Sequence, residues 1–181
     1  MPAGKAGARL LLWGKDMENH EPRLFSDDSA IRRVGEGMIA CTLPKAEWTH
    51  EAHLATCAWI VLERPDLVPE HDLPGLIRRY NESVGGVNDE TQGYHETITQ
   101  VFVRGVRMSL AGSEGGLAER INALLLSPQG KRAWPLAFYS RERLFSVEAR
   151  MSWVEPDLKP LPDTPFPLPF WGEGQPPKAA G

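Results

Sequence analysis

Residues 47–64 read EWTHEAHLATCAWIVLER. Projected onto a helix, the apolar side chains of this stretch (Leu54, Cys57, Ala58, Trp59, Ile60, Val61 and Leu62) point in almost every direction, and only Glu51, Thr56 and Glu63 interrupt them. A helix that is apolar all round has no side to give to water, so it belongs at the centre of a helical domain. Thr49 supplies an N-cap hydroxyl and Glu51 an acid in the first turn. The expected fold class is all-α, with the rest of the chain arranged around this helix.

The surrounding sequence fits that arrangement. Ser26 is placed to cap a helix carrying Ile31, Val34 and Ile39. Asp72, followed by Leu73 and Pro74, is placed to cap another, with Leu73, Leu76, Ile77, Tyr80 and Val84 in one stripe and Gly85 and Gly86 as its stop. A further helix is expected from about Tyr94 to Leu110. Gly105 lies within its apolar stripe, which predicts a neighbouring helix in close approach at that point. Leu117, Ile121, Leu124 and Leu125 make a shorter helix ended by Ser127 and Pro128, and Ser140 is placed to cap a last one carrying Leu144, Phe145, Val147, Met151 and Val154. No stretch alternates as a strand does, and no Asn-Gly or Asp-Gly hairpin turn occurs.

The expectation is a single-domain bundle of five or six helices over residues 26–154, with Leu54, Trp59, Ile60, Leu76, Ile77, Tyr80, Ile98, Val101, Phe102, Val106, Ile121 and Leu125 in its core. A flexible N-terminal extension, residues 1–25, precedes it. A Pro-rich C-terminal tail, residues 155–181, completes the chain, and its eight prolines bar helix. Phe166, Leu168, Phe170 and Trp171 are too apolar for a plain linker, so the tail is expected to be partly docked on the domain.

The formal net charge is −4, and the pairs Arg78/Arg79, Lys131/Arg132 and Arg141/Arg143 are short and scattered. A nucleic-acid partner would call for a clustered basic patch, so none is expected. Cys41 and Cys57 form neither a disulfide framework nor a four-ligand zinc pattern, which points to free thiols and a cytoplasmic location. The apolar run LLLW at residues 10–13 is too short for a secretory leader, and no run of about 18 apolar residues exists to span a membrane. A homodimer is left open.

Three of the five histidines open helices. His50 and His53 lie about 60° apart on the central helix, in a sector shared with Cys57, Ile60 and Val61. His95, in the segment GYHETITQVF, falls in line with Phe102 and Val106. All three imidazoles are therefore expected to face the core. Imidazoles at i and i+3 can share one ion, and a third from a neighbouring helix completes a three-histidine face with an open position for water or substrate. The functional expectation is a divalent-metal site, zinc or iron, ligated by His50, His53 and His95. Those three and Tyr94 would be its catalytic residues, acting on a small-molecule substrate by hydrolysis or oxidation, with Asn88 and Glu96 near the mouth. Cys57, one turn beyond His53, is either a soft fourth donor or a core residue. The alternative is a non-catalytic helical binding module whose buried histidines are structural, each bonded to backbone or carboxylate. Known metal patterns do not match. His-Glu-x-x-His needs a spacing of four, and Glu47-x-x-His50 supplies only one of the two Glu-x-x-His motifs of di-iron bundles, with Gln92 where the second glutamate would stand. No nucleophile elbow, Walker A loop or dinucleotide fingerprint occurs.

The segments WTHEAHL (48–54), IRRYNESVGGVND (77–89) and GYHETIT (93–99) together resemble a group of small bacterial proteins that carry Thr-His-x-x-His-Leu, then a Tyr-Asn helix end, then Gly-Tyr-His-Glu-Thr. The resemblance implies that Thr49, His50, His53, Asn81, Asn88, Tyr94, His95, Glu96 and Thr97 belong to one shared pattern. It implies no particular activity.

Overall fold

A computed structural model describes residues 21–163. Those residues contain no strand. Their helices are α1 (Asp28–Ile39), α2 (His50–Glu63), α3 (Pro69–Ser83), α4 (Glu96–Leu110), α5 (Leu117–Leu126), and two single-turn helices, α6 (Arg141–Leu144) and α7 (Val147–Met151). Short 3-10 turns occupy Lys45–Glu47, Pro128–Gly130 and Trp134–Ala137. None of these helices is long and apolar enough to cross a membrane. The expected N-terminal extension lies mostly outside the described residues, and the tail from residue 164 onward lies wholly outside them.

The central helix is α2, which packs against α1, α3, α4 and α5. Ala52, Leu54, Ala55, Thr56, Cys57, Ala58, Trp59 and Ile60 are all buried along it. On one side Gly35 of α1 receives the Trp59 ring so closely that an added Cβ would lie 2.3 Å from Trp59 Cε3. The α1 cap is Asp27 rather than Ser26. Its carboxylate accepts from Ala30 N at 2.9 Å, and Ser26 donates to it in turn.

Helix α3 begins four residues earlier than its capping signal suggested. Pro69 occupies its first turn, and Asp72, already inside the helix, reaches back to accept from Val68 N. Pro74 therefore stands in the helix interior, where its missing N–H leaves the carbonyl of Glu70 without its i+4 partner. Gln100 of α4 supplies that partner, donating its side-chain amide to Glu70 O at 2.9 Å. The Glu70 carboxylate is itself buried and takes two bonds from the guanidinium of Arg107, also on α4. The defect created by one proline and the charge beside it are both answered by the facing helix.

Two apolar clusters meet across α4. The first gathers α1, α2, α3 and α5 with Val103 and Val106 of α4. The second holds Val101, Trp134, Phe138, Tyr139, Leu144, Ala149, Val154 and Leu161. Phe102 is partly buried and packs against both. Leu76 and Ile98 are likewise partly buried rather than central, whereas Val103, left off the expected stripe, is fully buried. At Gly105 the close approach comes not from an α-helix but from the ring of Trp134, at the head of a 3-10 turn, with Cζ3 2.7 Å from the position of a Cβ. The last expected helix is broken into α6 and α7, because Ser146 stops one and caps the other by accepting from Ala149 N.

Two glycine replacements separate packing from chain entropy. Gly105→Ala drives a methyl into Trp134 and should cost about 1–3 kcal/mol. Gly75→Ala, in α3 with nothing within 4 Å, should instead stabilise by about 0.4–1 kcal/mol. Urea unfolding of both variants checks the opposite signs.

Candidate functional site

The start of α2 is half-buried, with Thr49, His50 and His53 partly covered, and its polar groups are satisfied by protein. Thr49 caps the helix by accepting from Ala52 N. The His53 ring turns back and donates Nδ1–H to Thr49 O at 2.7 Å, which fixes its tautomer and leaves the lone pair on Nε2. His50 reaches across the molecule and donates Nε2–H to Gly130 O at 2.8 Å, with its ring edge against Phe102 at 5.2 Å. Only glycine fits at 130, since a Cβ would lie 2.3 Å from Leu124 O.

His95 does not join them. It is the N-cap of α4 and not its first helical residue, with φ −140° and ψ 109°. That extended backbone turns the ring onto its own helix start, where Nδ1 accepts from Ile98 N at 3.3 Å while Nε2–H is donated to Leu144 O at 3.0 Å. Both ring nitrogens are thereby committed. The expected three-histidine metal site is corrected accordingly. Among the described residues no group of three or more His, Cys, Asp or Glu is placed to hold an ion, and the zinc- or iron-dependent hydrolysis or oxidation expected of one has no donor set there. The error lay in the projection, which assumed helical geometry at position 95.

The other candidates serve the fold. Tyr94 is buried, donates its hydroxyl to Glu96 at 2.9 Å, and carries the Arg78 guanidinium 4.2 Å above its ring. Burial first, and the Glu96 carboxylate second, push the Tyr94 hydroxyl far up, so it keeps its proton. Glu96 also accepts from Gln100, and so joins the Glu70–Arg107 joint and not the histidines. Asn88 pins the loop before α4, accepting from Asn81 Nδ2 and Tyr94 N and donating to Arg78 O. Thr97 donates to Ser152 O and accepts from Val154 N. Cys57 is buried, and its thiol is pushed far up by that burial, the nearby Glu70 carboxylate adding to it.

Around His53 the arrangement differs. The Trp48 ring lies over the imidazole, with centroids 3.8 Å apart and planes tilted by 32°. On its other side Trp48 meets Tyr80, at 5.3 Å. Trp48 Nε1 is buried and has no hydrogen-bond partner among the described residues. Arg132 stands close enough for its charge to disfavour protonation of His53, and its Nε is likewise buried without a partner among those residues. Burial is the main cause that lowers His53 to about 4, against the pull of its bond to Thr49. The imidazole of His53 thus has an indole stacked on it and a guanidinium charge near it, each of which carries one buried N–H that finds no acceptor among the described residues. Neither Trp48 nor Arg132 stood out in the sequence. Trp48 precedes the cap, and Arg132 reads as half of a solvated basic pair.

Compared with known proteins, the chain matches no family model, no curated protein and no solved structure.

His95 is also lowered to about 4, by burial first and the nearby Arg150 charge second. An unfolded histidine titrates near 6.5, so between about pH 6.5 and 4 the unfolded chain binds protons that the folded one refuses. The stability contributed by the two neutral rings is complete above about pH 6.5 and is lost as pH falls towards 4, with a slope of up to about 1.4 kcal/mol per pH unit for each. His95→Asn, which keeps a capping side chain, should flatten that slope by about one proton. Denaturant unfolding at several pH values between 4 and 7 measures it.

Proposed function

We propose that the protein binds a small carboxylate-bearing molecule at the start of α2, through Trp48, His53 and Arg132. The observation that carries this reading is a pair of buried N–H donors, Trp48 Nε1 and Arg132 Nε, that find no acceptor among the described residues, the indole stacked on the His53 ring and the guanidinium charge near it. Native proteins pair nearly all such groups, and each one left unmade costs about 1–3 kcal/mol. A ligand that offers two acceptor oxygens satisfies both. With Arg132 as one donor, a carboxylate gains a charge-assisted bond that a neutral amide does not. The ring of His53, held by Thr49 with its Nε2 lone pair outward from that bond, accepts from a hydroxyl or amine next to the carboxylate. An imidazole that titrates near 4 is a poor base at neutral pH, which favours recognition over proton abstraction at this position. Arg132 is only partly buried and lies between two 3-10 turns, so the site borders solvent on that side.

The test tracks the Trp48 indole N–H by 1H–15N NMR, assigned through Trp48→Phe, during titration with acetate, lactate, acetamide and ethylamine. Acetate and lactate should move the signal saturably in about the millimolar range allowed for so few atoms, with lactate the tighter. Acetamide and ethylamine should not move it, and Arg132→Gln should weaken the carboxylates at least about tenfold, the loss of one charge-assisted bond. A Trp48 signal that ignores all four, or that responds equally in Arg132→Gln, overturns the reading.

A further inference from the structure

His50 and His53 both stand within the first four residues of α2, and residues three apart on a helix are about 5–6 Å from each other. The partner of His50 is the carbonyl of Gly130, at 2.8 Å. The residue whose charge bears on His53 is Arg132, two positions further along the chain. Lys131 between them is extended, with φ −75° and ψ 137°, so the step from Gly130 to Arg132 covers up to about 7 Å. The two spacings match. A chain fastened at His50 reaches the neighbourhood of His53 with its second residue.

Other contacts shape this segment without setting its place on α2. Gly130 N donates to Ser127 O, Lys131 N to Pro128 O and Trp134 N to Lys131 O, all within residues 127–134. The 3-10 turn Pro128–Gly130 packs on α4 and α5, and an added Cβ at Gly130 would lie 2.3 Å from Leu124 O. The tie to α2 comes from His50, whose ring is oriented in turn by its edge contact with Phe102 of α4. We infer that His50 is a positioning residue of the carboxylate site proposed above: its bond to the Gly130 carbonyl sets where Arg132 stands relative to His53 and Trp48. This role rests on that reading of the site. It asks of residue 50 only a donor at the reach of Nε2, with no contact to the ligand.

1H–15N NMR of the full chain tests this role with two probes. One is exchange of the buried Arg132 Nε–H, assigned through Arg132→Lys, and the other is acetate affinity read on the Trp48 indole N–H. His50→Gln places an amide donor at nearly the reach of Nε2, and His50→Met has the same length without a donor. In His50→Gln both readouts should stay within about twofold of the parent chain, whereas in His50→Met the Arg132 Nε–H should exchange faster and the acetate Kd should rise about fivefold or more, as for one lost hydrogen bond. His50→Asn, too short to reach Gly130 O, takes the place of His50→Met if that variant does not fold. A bond that serves the fold alone would lower the urea midpoint of the donor-less variant and leave Kd and Nε–H exchange of the folded protein unchanged, which overturns the proposal. So does a His50→Gln variant that weakens acetate as much as the donor-less one. If the parent chain does not bind acetate, the carboxylate reading fails by itself. The Arg132 Nε–H still decides whether His50 places Arg132, and equal exchange in all variants overturns that placement too.

Discussion

A helix buried on every side still begins with backbone N–H groups that lack intrahelical partners, and here that beginning is half-buried against the rest of the protein. This constraint organises the molecule. At the start of α2, Thr49 takes one N–H, His53 returns a donor to the Thr49 carbonyl, and His50 commits its ring N–H to Gly130, eighty residues away. At the start of α4, His95 caps Ile98 N and donates to Leu144, while Thr97 ties Ser152 and Val154. The polar groups that satisfy two helix starts are thus the bonds that fasten the C-terminal third of the described chain onto the first four helices. Histidine suits this work because one ring carries both a donor and an acceptor when neutral, and burial keeps His53 and His95 neutral.

The joint between α3 and α4 satisfies its buried polar groups in the same way, across the interface. Pro74 frees a carbonyl, Gln100 takes it, and Arg107 answers the buried Glu70 carboxylate two turns along. A buried ion pair of this kind adds little net stability over an apolar substitute, because desolvation offsets the attraction. Removing one partner is costly, so the pair holds α3 and α4 in one register. A slip of either helix would separate Gln100 from the Glu70 carbonyl and Arg107 from its carboxylate at the same time.

Much of this was legible in the residues. The all-round apolar character of 54–62 placed α2 at the centre, Thr49 marked its start, and Gly105 announced a close approach, although it is made by the Trp134 ring and not by an α-helix. Errors arose where local geometry departs from an ideal helix. Asp72 resembles an N-cap but caps from the fourth helical position, so α3 starts early. His95 has extended backbone, so a helical projection aimed its ring wrongly and produced a metal site that the fold does not assemble. Trp48 and Arg132 are separated by 84 positions, and nothing in either segment's pattern signals that both come near His53. Pairings of that range depend on how the last third of the chain folds back, which periodicity and capping cannot report.

The position of Arg132 in that return path limits how the candidate site can move. Gly130 is held on one side, its carbonyl bonded to His50 and its Cα against the end of α5. Trp134 is held on the other, packed on Gly105 and in edge contact with Phe138 at 5.3 Å. Between them Lys131 donates its N–H to Pro128 O and accepts from Trp134 N, so the Arg132 backbone is tied to both anchors. Rotation of the Arg132 side chain disturbs neither cluster, whereas displacement of its backbone would pull His50 off Gly130 or Trp134 off α4. The backbone on which the proposed site rests is therefore fixed at Gly130 and Trp134, and the Trp48 ring is in contact with both His53 and Tyr80.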